Sequence, residues 1–465
     1  MLELAIIAAY FVLMISIGLV SRRQARGLDG FLVAGRKGSS LLVTGSLLAT
    51  IVGGSATVGM AGLGFTQGLT GAWWLLVGSI GLLVLGIFLA EKVRRFALYT
   101  LPELVEKQYD GRVALAASVL IVIAWMGVIA AQIVASGKIL GVLGIGSPSL
   151  WMVAFSAVFI TYTMLGGQYA VIRTDTLQAG IIFAGIFAGL ALLMSHIGGW
   201  AALKSSLSPE QFAFPLSEQF GGQELITLLL LVGLTYVVGP DIYSRVFCAR
   251  DPKTARASVF WVALLIIPFA FGITLIGMGA AALFPQIAPE QAFPAVIRGV
   301  FPPWLGGIVL AALLAAIMSS ADTTLLTTST ILTVDVIGRL KPALSHTGTV
   351  SLSRWGILVL GLGSLLLALI LKGVISALLF AYAIYTSGLI LPVIAGFYRN
   401  RLKVTPTAAL VAIIGGGSAA LVSKIWSIAY LDLGGLFLSG LLLLVVSLID
   451  NRRKGSLLDG GRGIQ

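Results

Sequence analysis

The chain has 465 residues, of which 58% are hydrophobic and only 10% charged, with 30 Lys/Arg against 18 Asp/Glu. A soluble domain carries about 25% charged residues, so this chain lacks the polar cover that a water-exposed globule needs and reads as one solvated by a bilayer. A single cysteine, Cys248, excludes an intramolecular disulfide framework and a multi-cysteine metal site. The two histidines, His196 and His346, lie far apart and form no HExxH pattern, and there is neither a GxSxG elbow nor a GxxxxGK[ST] loop. A zinc enzyme, a hydrolase and an ATP-driven pump are all disfavoured, and no enzyme is expected.

A helix needs roughly 20 apolar residues to cross a bilayer. In chain order, such stretches fall at 2–20, 41–65, 70–90, 113–137, 148–166, 176–198, 223–244, 259–284, 304–337, 353–371, 374–398, 405–423 and 426–449. The expectation is therefore an all-α polytopic membrane protein with about 13 transmembrane helices. The first stretch is expected to stay in the protein as a span, because Arg22 and Arg23 follow its apolar run and do not precede it. With the N-terminus outside and alternating topology, 25 Lys/Arg fall on inside segments. The outside keeps five: Lys138, Lys204, Arg298, Lys372 and Lys424. This split predicts an outside N-terminus, a cytoplasmic C-terminus and a tail at 451–465, in a multi-pass protein of the cell membrane. It also removes the nucleic-acid reading of the net charge of +12, since the positives are spread over separate loops.

Two spans carry breakers. The second reads Ala49-Thr50-Ile51-Val52-Gly53-Gly54-Ser55, and the seventh reads Tyr236-Val237-Val238-Gly239-Pro240-Asp241. Gly-Gly removes side-chain constraint, and Gly-Pro deletes an amide and kinks the helix. The breaks sit five spans apart, so the two helices enter from opposite sides, which is the sequence pointer to a transporter site between two inverted halves. Amides freed around Gly53, Gly54 and Ser55, near a half-helix N-terminus, favour an anionic solute group. Gln132, Tyr236 and Gly239 are candidate polar partners, with Trp73 or Trp125 as apolar walls. No basic residue is expected inside a core span except at its ends. A compact carboxylate or amino acid is the expected substrate.

Carboxylates inside a membrane span usually mark ion or proton sites. Asp322 lies mid-span, Asp175 at the inner border of the sixth stretch and Asp241 at the inner end of the seventh. Asp335, near a helix end, reads as simply hydrated. An N-cap for the 176–198 helix is the structural alternative for Asp175. In the run Ala315-Ala316-Ile317-Met318-Ser319-Ser320-Ala321-Asp322-Thr323, helical spacing gathers Ala316, Ser319, Ser320 and Thr323 on one face. Hydroxyls, a carboxylate and freed carbonyls are hard donors suited to a small hard cation.

At AGRKGSSLLVTGSLLATIVGG, GFTQGLTGAWW, YTLPELVEKQYDGR, YTMLGGQYAVIRTDTLQAGII and AAIMSSADTTLLTTSTILTVDVI the chain resembles the sodium:solute symporter family, in order and spacing, over roughly residues 5–445. The resemblance implies a leucine-transporter-type core of five plus five inverted helices, with one extra helix before and two after. The corresponding division is a peripheral helix at 2–20, a first repeat at 41–198, an inverted second repeat at 223–398 and peripheral helices at 405–449, forming one transmembrane domain over 1–450. It implies alternating access, sodium as the coupling ion and a functional monomer in the lipid bilayer. Carried over, a sodium ion would be held by carbonyls of Ala49, Val52 and Ala316 and hydroxyls of Ser319 and Ser320. A second cation would match Asp175, Ser319, Asp322 and Thr323, where Asp322 replaces a serine of some relatives. Ala56 and Leu75 depart from the sugar-carrying members, which disfavours a sugar. Two alternatives stay open: proton coupling through Asp175 and Asp322, and a passive channel or sensor that keeps the fold. A channel would need a polar lining along its length, and a sensor would be expected to carry a long cytoplasmic domain.

Overall fold

The computed structural model describes residues 2–25, 27–341, 345–370, 373–426 and 431–460. Among them the backbone is nearly all helical, and the only β pairing is two isolated bridges, Gly38 with Ala249 and Ser217 with Phe220. In the bilayer core no water serves the backbone, and a helix satisfies its own amides and carbonyls.

In chain order the main helices are α1 (Leu2–Ser21), α2 (Ser40–Ile51), α3 (Met60–Gln67), α4 (Trp73–Val84), α5 (Gly111–Leu140) and α6 (Pro148–Ile197). They continue with α7 (Leu234–Val237), α8 (Pro240–Cys248), α9 (Pro252–Leu283) and α10 (Pro303–Ile331). The last four are α11 (His346–Ile370), α12 (Val374–Tyr385), α13 (Pro406–Ile425) and α14 (Leu431–Gly460).

Among the described residues, eleven helical runs are long and apolar enough to cross a membrane, against thirteen apolar stretches in the sequence. The difference has a local cause. Ser55–Arg95 runs on for 41 residues and Pro148–Ile197 for 50, each without a polar loop between its two apolar stretches. At 1.5 Å per residue, 50 residues would reach about 75 Å, well beyond one crossing. Gly167 resolves this: its φ of 50° and ψ of −149° break α6 into two rods.

Helix starts outside the apolar runs carry their own caps, as amides without an intrahelical partner require. Ser39 caps α2, Asp110 caps α5, Ser147 caps α6, Asp251 caps α9 and Thr405 caps α13. The two starts inside the apolar runs differ. The turn Ser55–Gly59 that leads into α3, and α8 behind Gly239, have no side-chain cap at the preceding residue. Their amides are left for other partners.

Burial separates the core from its rim. In α10 and its extension to Leu340, 89% of the apolar window is buried, whereas α1 and Leu433–Arg453 bury only 28%. Helix α10 is thus the axis of the bundle, and the chain-terminal helices face lipid. The axis also buries Asp335, which is 1% exposed with Arg339 3.8 Å away. This corrects its reading as a hydrated helix end.

A Cβ at Gly167 would meet the Phe31 ring and its carbonyl, in a backbone region that side chains avoid. Gly167→Ala is expected to cost about 1–3 kcal/mol, whereas Gly180→Ala, with open space around it, should be neutral or slightly stabilising. Thermal unfolding of the two variants in one detergent checks this, and equal midpoints would contradict the role of Gly167.

Candidate functional site

Helix α2 stops at Ile51, in the middle of an apolar run, and Val52 leaves helical geometry with φ −82° and ψ 63°. The carbonyls of the last turn then lack intrahelical donors. Two of them are met by α10. The Ser319 hydroxyl donates to the Ala49 carbonyl at 2.8 Å, and the Ser320 hydroxyl to the Thr50 carbonyl at 2.5 Å. Both hydroxyls also lie near the Ala316 carbonyl, at 3.0 and 3.3 Å. Five oxygens therefore converge where α2 ends against α10: the carbonyls of Ala49, Thr50 and Ala316 and the hydroxyls of Ser319 and Ser320. Gly53 allows the approach, since a Cβ there would overlap the Ser320 side chain. On the far side of the break, the Gly54 amide donates to Gln132 Oε1 at 2.7 Å. At the second break, the Tyr385 hydroxyl donates to the Val238 carbonyl just beyond α7.

A small cavity of about 30 Å³ lies between the two breaks. It is lined by Thr50, Ile51, Gly53, Ser55 and Ser320 around the first break, and by Thr235, Tyr236, Asp241 and Ile242 around the second. Trp125, Val128, Gln132, Thr324 and Tyr382 complete the lining. Of the expected substrate residues, Gly53, Ser55, Gln132 and Tyr236 line this cavity. Gly54 and Gly239 supply backbone beside it without lining it. Of the two expected walls, Trp125 lines it, whereas Trp73 stacks on Phe214 at 5.5 Å and donates to the Pro215 carbonyl outside it. The sequence reading put Asp241 at the inner end of the seventh span. The structure corrects this: Asp241 is in the first turn of α8, at the break itself.

A second polar cluster lies between α2, α6, α8 and α10. Arg245 is fully buried and donates from Nη2 to Asp175 Oδ2 at 3.0 Å and from Nε to the Ser46 hydroxyl at 2.9 Å. It also contacts Thr323 Oγ1, Ser244 Oγ at 3.1 Å and Gln168 Oε1 at 3.4 Å. Ser46 itself donates to Asp175 Oδ2 at 2.5 Å. Thr323 lies 3.3 Å from Asp322 Oδ1 and 3.2 Å from the Thr50 hydroxyl, and the Tyr162 hydroxyl donates to Asp322 Oδ2. So Asp175 and Thr323 come together around a guanidinium, and Asp322 joins them through Thr323. Two expectations are corrected here. A basic side chain does sit inside the core, because α8 continues to Cys248 and carries Arg245 inward. Asp175 is not an N-cap, because its helix restarts at the Gly167 break, well before it.

The sodium:solute symporter family model matches residues 31–416. The chain belongs to the sodium:solute symporter family. It is 26% identical to the osmoregulated proline transporter OpuE of Bacillus subtilis, over 95% of this chain and 94% of that protein. It is 27% identical to a sodium/proline symporter of Haemophilus influenzae (96% and 94%), and 26% identical to a sodium/glucose cotransporter of Vibrio parahaemolyticus (91% and 85%). Among solved structures, a Na+-coupled sialic acid symporter in a substrate-bound outward-open state superposes with a TM-score of 0.83, at 18% identity, over 97% of this chain and 98% of that one. Mhp1 in a closed conformation gives 0.65 at 15% identity, covering 91% and 94%. The fold is of the leucine-transporter type.

As a sodium:solute symporter the protein is a polytopic membrane transporter, not an enzyme by family, and sodium is its coupling ion. The oxygens at the α2–α10 junction are the hard, mostly uncharged donors that a small monovalent cation takes. Sequence reasoning missed Arg245, Tyr382 and Thr324, and placed Asp241 at a span end where the structure has it at the break. One signal was available: Asp241 and Arg245 are four apart after a Gly-Pro break, so a helix begun at Pro240 carries both on one face.

Two tests follow from this geometry. Ser319→Ala with Ser320→Ala should raise the sodium concentration for half-maximal transport at least tenfold while protein yield stays near normal; unchanged sodium activation would remove the junction from consideration. Arg245→Met leaves Asp175 buried without its partner and should cost about 3–5 kcal/mol. Adding Asp175→Leu to Arg245→Met should recover most of that loss in thermal unfolding.

Proposed function

We propose that the protein imports a small amino-acid-like solute by sodium-driven alternating access, with one sodium ion per cycle held by Ala49, Val52, Ala316, Ser319 and Ser320. The observation that carries this reading is the junction of α2 with α10. Ser320 and Thr50 belong both to that oxygen cluster and to the lining of the central cavity. An ion at the junction would share Ser320 with a solute in the cavity and would lie beside Thr50, which is the kind of contact that coupling requires.

The cavity, at about 30 Å³, has room for one or two waters. Admitting a solute needs the helices around it to part, as alternating access supplies. The reading takes thirteen crossings, with the long runs divided between Gln67 and Trp73 and at Gly167. The repeats are 41–198 and 223–398, with peripheral helices at 2–20 and 405–449. The functional unit is a monomer in the plasma membrane. An amino-acid-like solute agrees with the two relatives named for proline; the relative named for glucose has a different solute within the same family.

The second-cation residues support a stoichiometry of one. Asp175 already has a fixed positive partner in Arg245, and Asp322 is engaged by Tyr162 and Thr323. Neither carboxylate lines the cavity, so nothing in the geometry favours a proton relay through them.

In proteoliposomes with an inward sodium gradient, amino acids from a tested panel should accumulate. Accumulation should vanish with a sodium ionophore, persist with a proton uncoupler and show a Hill coefficient near 1 for sodium. Uptake driven by a proton gradient alone would overturn the reading. For orientation, the one native cysteine, Cys248, is buried and leaves a silent background. An impermeant maleimide should label Ser205→Cys in intact cells and Lys253→Cys only after permeabilisation; the reverse pattern would invert the topology.

A further inference from the structure

Asp241 is the one Asp, Glu, Lys or Arg side chain lining the central cavity. Among the described residues, no Lys or Arg nitrogen lies within ion-pair distance of it; the nearby Arg245 is committed to Asp175. A carboxylate inside a membrane bundle is expensive unless a positive charge meets it. Among the described residues this one has no ion-pair partner: its carboxylate accepts from the backbone amides of Asp241 and Ile242 and lines the cavity.

We propose that Asp241 is the substrate's ammonium-binding residue, and that the pocket selects solutes bearing both an ammonium and a carboxylate. The inference rests on the function proposed above and names what its site recognises.

Three features distinguish an organic ammonium from a second sodium at Asp241. First, the oxygens that would hold sodium are gathered elsewhere, at Ser319 and Ser320. Second, three aromatic residues, Trp125, Tyr236 and Tyr382, line the same cavity as Asp241, and the Trp125 and Tyr382 ring centroids are 6.5 Å apart. Aromatic faces attract ammonium groups, whereas a small hard metal ion prefers a shell of oxygens. Third, the first break carries the other charge preference. There the Gly54 amide at the start of the second half-helix is held by Gln132 Oε1, a neutral acceptor. A substrate carboxylate can displace it and gain the favourable end of the helix dipole. The second break offers a carboxylate in the cavity and the first a backbone donor beside it, so a zwitterion matches both and a simple carboxylic acid meets repulsion from Asp241.

The test uses the purified full-length protein, with solute binding followed by intrinsic tryptophan fluorescence and by thermal shift, in sodium and in potassium buffers. The probes are matched pairs in which only the amine changes: L-proline against tetrahydrofuran-2-carboxylate, and L-alanine, L-leucine and L-serine against their des-amino acids. The expected result is that every solute that binds bears an ammonium, with its partner at least 100-fold weaker. Asp241→Asn should lower affinity for the amine-bearing member about 100-fold and abolish the discrimination, and Asp241→Glu should keep part of it. Equal binding of a des-amino acid, retained discrimination in Asp241→Asn, or no binding by any ammonium-bearing probe would overturn the proposal. The wild-type pairs decide the question even if a variant fails to fold. Amine preference without sodium dependence would support Asp241 and refute sodium coupling at the junction, and sodium dependence without amine preference would do the reverse.

Discussion

Helix α2 ends where there is no water to receive its last carbonyls, and the hydroxyls of Ser319 and Ser320 are what reaches them. Unsatisfied carbonyls in an apolar interior cost several kcal/mol, so the end of α2 has to stay against α10 or find another partner. A serine hydroxyl can serve in either of two ways. It can donate its hydrogen to a carbonyl, or it can rotate that hydrogen away and offer a lone pair. A cation held at this junction would satisfy carbonyls there directly and release the hydroxyl hydrogens. In the proposed reading, sodium therefore replaces the bonds that hold the break together. Ion occupancy and helix position then become one equilibrium, which is the thermodynamic content of coupling.

The Arg245–Asp175 pair limits what else can move. Two charges withdrawn from water repay their desolvation only with many further hydrogen bonds. Arg245 has them, from Ser46, Ser244, Gln168 and Thr323. These partners lie on α2, α8, α6 and α10, so one side chain ties both broken helices to the bundle axis. Breaking that net during transport would strand charges in an apolar interior.

Most of the fold could be read from the sequence, because a bilayer demands long apolar runs and little else interrupts them. The breaks at Gly53-Gly54 and Gly239-Pro240 were legible for the same reason: glycine and proline act on the backbone, and their effect does not wait on tertiary contacts. The division of α6 was legible as the stretches 148–166 and 176–198, but the residue that makes it was hidden, since Gly167 is one glycine among 57 and its positive φ is not written in the sequence. Arg245 was hidden differently. A charge just past an apolar run reads as a loop residue, and only the inward course of α8 shows that it is buried. Asp335 repeats the lesson on α10. What stayed illegible was which side of a helix meets which neighbour, and that decides whether a charge is wet, paired or functional.

Asp241 joins these threads. It follows Pro240, whose missing amide helps end the seventh span's first half, so the feature that breaks the helix also puts a carboxylate in the first turn of its second half. Gly239 offers no capping side chain, so the Asp241 carboxylate takes the amides of Asp241 and Ile242 itself, where the helix dipole favours an acidic residue. The first break has glycines and Ser55 at the equivalent place, and a neutral amide, Gln132, accepting from the Gly54 N–H. Two helix starts, both positive by dipole, are made electrically unlike by one residue. The cavity between them acquires a direction for charge, and a solute that carries both signs has one orientation in which each end is met.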